Sequence, residues 1–335
     1  MSALRAGIAG YGLAGEVFHA PLLDAVDGIE VAGVVTTNAE RQGRARAAFP
    51  DARVAANLDE LWDQIDLLVV AVPNRAHVAV SLAAVERGVP LVVDKPLATT
   101  ADDAEGLIAA AEDAGVPLTV FQNRRFDGDF LTLRGVIERG ELGAVTRFES
   151  RFERFRPELD SSGWRERGDA AEGGGLLLDL GAHLVDQARV LFGHPLSVYA
   201  ELHQRRLGAA VEDDVFVALE HQGDVRSHLW MSSVAPLHGP RFRVSGLGGG
   251  FASDGLDPQE PQLAKGMRPG DPGYGESGEL LPGAYQRFYE GVVSWLRDGA
   301  PAPVDPRDSL ACLRVLGAAR RSAQTNSVIE LEGST

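Results

Sequence analysis

Residues 4–26 read LRAGIAGYGLAGEVFHAPLLDAV. The apolar run Leu4 to Ala9 is too short for a helix and ends at glycine. It leads into Gly10-Tyr11-Gly12-Leu13-Ala14-Gly15, after which Val17, Phe18, Leu22 and Val26 recur at roughly helical spacing. A strand, a glycine turn and a helix form the context in which G-x-G-x-x-G means dinucleotide binding. Gly10 permits the tight turn out of the strand, Gly12 lets the backbone approach a pyrophosphate, and Gly15 allows close helix packing. The helix N-terminus then offers free N–H groups to the phosphates. Pro21 predicts a kink or a stop near Ala20.

Working outward, the alternation continues through Phe121. Strands are expected at Ile29–Val35, Arg53–Ala55, Asp66–Val72, Pro90–Val93 and Pro117–Phe121. Helices are expected over 38–48 with Asn38 as N-cap, over Asn74–Arg87, and over Thr100–Ala114. Residues 66–72, DLLVVAV, form an unbroken apolar run, the mark of a strand buried on both faces of a parallel sheet. The expectation is a doubly wound α/β Rossmann domain over residues 1–123, with strand order 3-2-1-4-5-6 and its ligand crevice at the carboxyl ends of the strands.

From residue 124 the pattern changes. A helix over 128–139, a strand over 144–155 and a helix over 175–192 precede successive strands at 196–206, 213–220, 224–232 and 241–246. Residues 253–282, rich in Gly and Pro, read as irregular. Helices at 283–298 and 307–323 and a strand at Val328–Leu331 close the chain. Residues 124–335 therefore read as an α+β domain on a large open mixed sheet. Covering such a sheet with partner subunits predicts a homo-oligomer, a homodimer or a homotetramer.

The 335 residues carry a net charge of −16, an apolar fraction of 44% and one cysteine, Cys312. An acidic surface disfavours nucleic acid and anionic membranes. A single cysteine excludes an internal disulfide and a cysteine-based zinc site. No apolar run is long enough to span a membrane, and the start of the chain leaves no room for a signal peptide, so a cytoplasmic protein is expected.

The residue after the second strand reads the adenosine ribose, and a carboxylate there favours NAD. Here stand Thr36, Thr37 and Asn38, with Arg41 beyond; Glu40 is already inside the helix. Hydroxyls, helix N–H groups and a guanidinium suit a 2′-phosphate, so NADP is favoured, with NAD as the alternative. Three further stretches bear chemistry: Val72 to His77 after the fourth strand, Asp94-Lys95-Pro96 after the fifth, and Gly173 to Asp186 on the later helix. Lys95 stands at a strand's carboxyl end, and Pro96 invites a cis bond. Asp179 and His183, four apart, share a helix face, and Asp186 can join them. Oxidising an alcohol needs a base for the hydroxyl proton, which histidine suits near neutral pH, and a cation for the oxygen, which lysine supplies. A surface pair is the plain alternative. A metal site is another, although no further His or Cys is spaced to complete it.

Four motifs together, GYGLAG at 10–15, PNRAH at 73–77, DKP at 94–96 and GGGLLLDLGAHLVDQ at 173–187, resemble the Gfo/Idh/MocA oxidoreductase family over nearly the whole chain. GEVFHAPLLDAV at 15–26, QNRRFDGDFLTL at 122–133, RFRPE at 154–158 and GWRERG at 163–168 are similar to its NADP-dependent scyllo-inositol dehydrogenase branch. The resemblance implies Lys95, Asp179 and His183 as the catalytic set, with His183 as acid/base. It implies cofactor contacts from Gly10, Gly12, Leu13, Gly15, Thr36, Thr37, Asn38, Arg41, Pro73, Asn74, His77, Asp94, Lys95, Asn123 and Arg124. From the second domain it adds Trp164 and Arg165. Arg124, Arg125, Phe126 and Arg156 are implied at the substrate mouth, beside Lys95, Asp179 and His183. Two departures stand out: Thr37-Asn38 where that branch usually follows the Thr or Ser with arginine, and Asp94 where the family usually has Glu. The implied activity is hydride transfer on a secondary hydroxyl or ketone of a cyclitol or sugar. A cofactor-binding sensor without turnover, or a sugar enzyme of other specificity, is the alternative.

Overall fold

The computed structural model describes residues 2–159 and 173–331. Six parallel strands, β1 (Leu4–Ala9), β2 (Ile29–Val35), β3 (Arg53–Ala55), β4 (Leu67–Val70), β5 (Leu91–Asp94) and β6 (Leu118–Phe121), form one sheet in the order β3-β2-β1-β4-β5-β6. The order is the expected one. Ile8, Val34, Val69, Val92 and Val120 are fully buried in it. Apolar β-branched side chains on both faces are what a parallel sheet with helical crossovers requires.

The first crossover starts as a π-helix, Ala14–His19, and becomes regular only at α1, Ala20–Asp24. Pro21 stands in the first turn of α1, where its missing N–H costs nothing. In an uninterrupted helix from Ala14 the same ring would clash with the turn before it, and the π-turn marks the adjustment. The other helical crossovers are α2 (Ala39–Ala48), α3 (His77–Val85) and α4 (Ala101–Asp113), whereas β3 joins β4 through two short 3-10 turns, Leu58–Glu60 and Trp62–Gln64.

Beyond α5 (Gly128–Glu138) comes β7 (Val145–Glu153), then two helical segments, α6 (Leu176–Asp179) and α7 (Gly181–Phe192). A single helix was expected here. The ladder restarts at Leu180: its N–H bonds to Leu176, and its carbonyl accepts from His183. Gly181 follows the break, and a Cβ there would lie 3.1 Å from Leu316 Cδ2, a contact tight enough to make the leucine shift. Strands β8 (Pro195–His203), β9 (Asp214–His221), β10 (Val225–Ser232), β11 (Phe242–Gly246) and β12 (Gly250–Ser253) follow.

The expected irregular stretch contains a helix, α8 (Gln259–Ala264), ahead of α9 (Gln286–Asp298), α10 (Pro306–Thr325) and β13 (Ile329–Glu330). The second sheet runs β12-β11-β7-β10-β9-β8-β13 and is mixed, with β7 and β10 parallel and the other neighbours antiparallel. The chain forms two compact units. The first comprises residues 1–98, 102–128 and 257–307; the second comprises 99–101, 129–256 and 308–335. Residues 257–307, which the sequence groups with the second domain, thus pack with the first unit.

Candidate cofactor and active site

In the first unit Gly10 has φ +99°, and a Cβ on it would lie 2.5 Å from the Ala71 carbonyl oxygen. Only glycine fits that turn. A Cβ at Gly15 would lie 2.0 Å from the Gly10 carbonyl oxygen and 3.4 Å from Ile8 Cγ2. The third glycine therefore seats the helix on the turn itself and on β1. At Gly12 a Cβ would meet nothing but the Arg41 guanidinium, at 3.6 Å. Bare backbone under a guanidinium, at a helix start after β1, fits a dinucleotide's pyrophosphate. Leu13 stands beside it, 55% exposed.

The end of β2 bears no carboxylate. Thr36 Oγ1 accepts from the Asn38 N–H at 3.4 Å, and Asn38 Oδ1 caps α2 by accepting from Arg41 N–H at 3.0 Å. Thr37, Asn38 and Arg41 are exposed. Glu40 is engaged, because Arg44 bonds it at 2.7 Å while also holding both oxygens of Glu16 at 2.6 and 2.9 Å. Arg41 makes no ion pair among the described residues. One arginine is neutralised and its neighbour remains a free cation above the glycine turn.

At the ends of β4 and β5 stand His77 and Lys95. His77 is buried, with Nδ1 2.8 Å from the Pro96 carbonyl and Nε2 2.9 Å from the Val72 carbonyl. Both ring nitrogens face backbone carbonyls; the neutral ring donates its one N–H to one of them, and the side chain lies between the Val72 and Pro96 loops. Burial pushes its pKa down, against the opposing pull of Asp94. The Lys95–Pro96 bond is cis, as expected. Lys95, half-buried, donates its backbone N–H to Asp94 Oδ1 at 2.9 Å. Pro73 is exposed and Asn74 half-buried at the start of the turn after β4.

After β6 a short helix, Asn123–Phe126, buries Asn123 and Arg124. Arg124 lies between Glu260 at 2.7 Å and Asp127 at 3.4 Å, and Tyr285 donates its hydroxyl to Asp127 at 2.7 Å. Its charge is thus balanced inside the first unit, which fits a structural ion pair better than a substrate clamp. Arg125 and Phe126 are half-buried. Gln122, which opens the QNRRF stretch, has no role assigned to it by the sequence. It is 2% exposed, and its Oε1 has no hydrogen-bond partner among the described residues, a cost that a bound donor would relieve.

In the second unit Gly175 has φ +93°, and its missing Cβ makes room for the Glu212 carboxylate. Glu212 accepts from the Leu177 N–H at 3.3 Å and from Arg320 at 3.1 Å, which fixes the start of α6. Asp179 ends α6 and His183, buried, lies in the first turn of α7. Asp186 is buried one turn on, with Cys312 Sγ 3.9 Å away. Among the described residues no group of three His, Cys, Asp or Glu is placed to hold a metal. Arg156 is exposed just beyond β7. Trp164 and Arg165 lie outside the described residues.

Family models match in two places. One, for an oxidoreductase family with an NAD-binding Rossmann fold, Gfo/Idh/MocA, matches residues 4–122; the other, for a Gfo/Idh/MocA C-terminal domain, matches 130–252. A scyllo-inositol 2-dehydrogenase (NADP⁺) of Bacillus subtilis is 33% identical over 351 residues, covering 98% of this chain and 96% of that one. A D-xylose 1-dehydrogenase (NADP⁺) of Haloferax volcanii is 28% identical, covering 88% and 93%. Among solved structures, an oxidoreductase from Bacillus subtilis superposes with a TM-score of 0.93 at 32% identity, covering 99% of each chain. Another from Yersinia pestis gives 0.92 at 33% identity, covering 100% and 99%.

Proposed function

The chain belongs to the Gfo/Idh/MocA family of oxidoreductases with an NAD-binding Rossmann fold, and on that premise we propose that it is an NADP(H)-dependent enzyme interconverting a secondary hydroxyl and a ketone of a cyclitol or sugar. The observation that carries the cofactor preference is the free Arg41 guanidinium above Gly12, beside a strand end without a carboxylate. A dianionic 2′-phosphate gains charge-assisted hydrogen bonds there and meets no repulsion. The relatives named for NADP⁺ support the same reading.

Bound nicotinamide supplies the hydride acceptor for oxidation and the donor for reduction. In the oxidation direction His183 takes the hydroxyl proton as the carbon gives up its hydride. The Lys95 ammonium donates a hydrogen bond to the oxygen on which negative charge develops. Asp179 orients His183 and balances its positive charge. Arg125, Phe126 and Arg156 contribute to the substrate mouth, and Asn123 with Gln122 to the nicotinamide end.

The test is a screen of NADP⁺ and NAD⁺ against inositols, aldoses and sugar acids, read by absorbance of the reduced cofactor. Reduction of NADP⁺ by scyllo- or myo-inositol is the expected result. Arg41→Ala raises KM for NADP⁺ about tenfold and leaves that for NAD⁺ alone. His183→Ala and Lys95→Ala each lower kcat by about a hundredfold or more, with cofactor binding retained. Undiminished turnover in both would sink the mechanism. Activity only with NAD⁺, or only with aldoses, would overturn the cofactor or substrate class. Silence with tight NADP(H) binding would point to a sensor.

The assembly proposed is a homo-oligomer closed through the outer face of the second sheet. That face carries half-buried Phe216 and Trp230, with the Arg151 guanidinium 4.0 Å over the Trp230 ring. Around them Arg147, Arg151 and Arg226 alternate with Glu149, Glu153 and Glu220, a pattern that a second copy can complement.

A further inference from the structure

Behind Lys95 lies a buried cluster that the proposed chemistry leaves unused. His19, the last residue of the π-helix, is wholly buried. Its Nδ1 is 2.6 Å from the hydroxyl oxygen of Tyr289, and its Nε2 is 3.8 Å from an Asp94 oxygen. The ring packs on Phe121 with centroids 4.4 Å apart. Tyr289, on α9, is fully buried, and burial together with Asp94 raises its pKa well above the usual phenol value, so it keeps its proton.

Among the described residues the only hydrogen-bond partner of that hydroxyl is His19 Nδ1. A proton on Nδ1 would leave the phenol hydrogen buried without an acceptor, a costly arrangement. The imidazole proton therefore belongs on Nε2, the nitrogen that faces Asp94. We propose that Tyr289 fixes the Nε2–H tautomer of His19, and that His19 is a positioning residue whose otherwise unpartnered Nε2–H faces the Asp94 carboxylate across 3.8 Å and draws it to its place beside Lys95. The proposal rests on the reading of Lys95 as the cation at the reacting oxygen.

The groups facing Asp94 are His19, Lys95 and, from α3, His77. Burial by itself would raise the Asp94 carboxyl; the approach of His19, and after it the charge of Lys95, outweigh it and hold the carboxyl below its ordinary range. At 3.8 Å the His19–Asp94 approach exceeds a hydrogen bond. Glu in place of Asp94 reaches one methylene further and would close it.

The first test needs no turnover. In protein labelled with nitrogen-15 histidine, long-range proton–nitrogen spectra read the tautomer, and loss of the signal in His19→Asn assigns it. The expected result is Nε2–H in the wild type and a mixture of tautomers in Tyr289→Phe. Nδ1–H in the wild type, or no change in Tyr289→Phe, overturns the proposal even if the enzyme is active. The second test is kinetic and uses two amides. Asn at 19 places its amide near Nδ1 and keeps the Tyr289 partner; Gln places it near Nε2 and keeps a donor for Asp94. His19→Asn is expected to lower kcat about tenfold and to move the acid limb of its pH profile upward, because Asp94 without the Nε2–H facing it takes a proton more readily. His19→Gln recovers most of that loss, and KM for the cofactor moves little in either variant. Equal kcat losses in the two variants, following equal losses of stability, would reduce His19 to a packing residue. If the wild type turned over no polyol or sugar, the functional reading would fail while the spectra still decided the tautomer.

Discussion

His221 and His77 show how burial decides what a histidine does. Both rings lie inside the protein, and in both burial lowers the pKa. His221 has Nε2 2.9 Å from Ser227 Oγ and Nδ1 3.2 Å from the Gly193 carbonyl. Its pKa is pushed down to about 4, by burial first and then by the neighbouring His194 and Arg189. The unfolded chain, with a histidine near ~6.5, takes up the proton first as pH falls. Stability from this residue is therefore complete above about pH 6.5 and is lost progressively as pH drops toward the folded value, on the order of 3 kcal/mol in all. Denaturant unfolding at several pH values should show a shallower acid loss in His221→Asn than in the wild type. Parallel curves would assign the loss to other groups. His77 was legible in the sequence as a residue beside the crevice, but not as a brace between the Val72 and Pro96 carbonyls. The second carbonyl lies far along the chain, where no motif spacing points.

Among elements, the segment from Asp257 through α9 explains most of the distance between expectation and structure. Asp257 Oδ2 accepts from the Gly128 N–H at 2.7 Å, Gln259 Oε1 accepts from the Tyr285 N–H at 2.8 Å, and Gln259 Nε2 donates to the Phe126 carbonyl at 3.2 Å. These bonds clamp the turn that follows β6. Buried Phe288 and Tyr289 stack beside Phe121, with centroids 5.0 and 6.0 Å away. The segment thus completes the core of the first unit, although the sequence from residue 124 onward reads as another domain. Tyr285→Phe removes the donor at 2.7 Å from buried Asp127, while Arg124 stays at 3.4 Å. The expected loss is about 1–3 kcal/mol, seen as a lower denaturant midpoint with an unchanged slope. A midpoint equal to that of the wild type would mean that the Tyr285 hydroxyl adds nothing to this junction.

At the scale of the whole molecule, a net charge of −16 and a sheet face bearing Phe216, Trp230 and stacked Arg151 pull in opposite directions. Self-repulsion keeps copies apart, whereas in the proposed assembly the half-buried aromatic cluster with its alternating charges meets a second copy. If that assembly forms, Trp230→Glu converts it to monomer in sedimentation velocity, with an unchanged circular dichroism spectrum. A monomeric wild type would overturn the assembly proposed above. Among the described residues no helix is long and apolar enough to cross a membrane.

The sequence by itself determined the six-stranded parallel sheet, its order, the glycine turn, the α2 cap at Asn38 and the position of the cis proline. Each is governed by near neighbours: hydrophobic period, a residue without Cβ, a side chain reaching the next turn, a tertiary amide. Tertiary structure alone decided that Arg124 is neutralised by Glu260, that Glu40 is held by Arg44 while Arg41 stays free, and that His19 lies between Tyr289 and Asp94. The charge state, tautomer and availability of a polar group depend on the partners that burial leaves it. In a long chain those partners come from positions that local pattern does not connect.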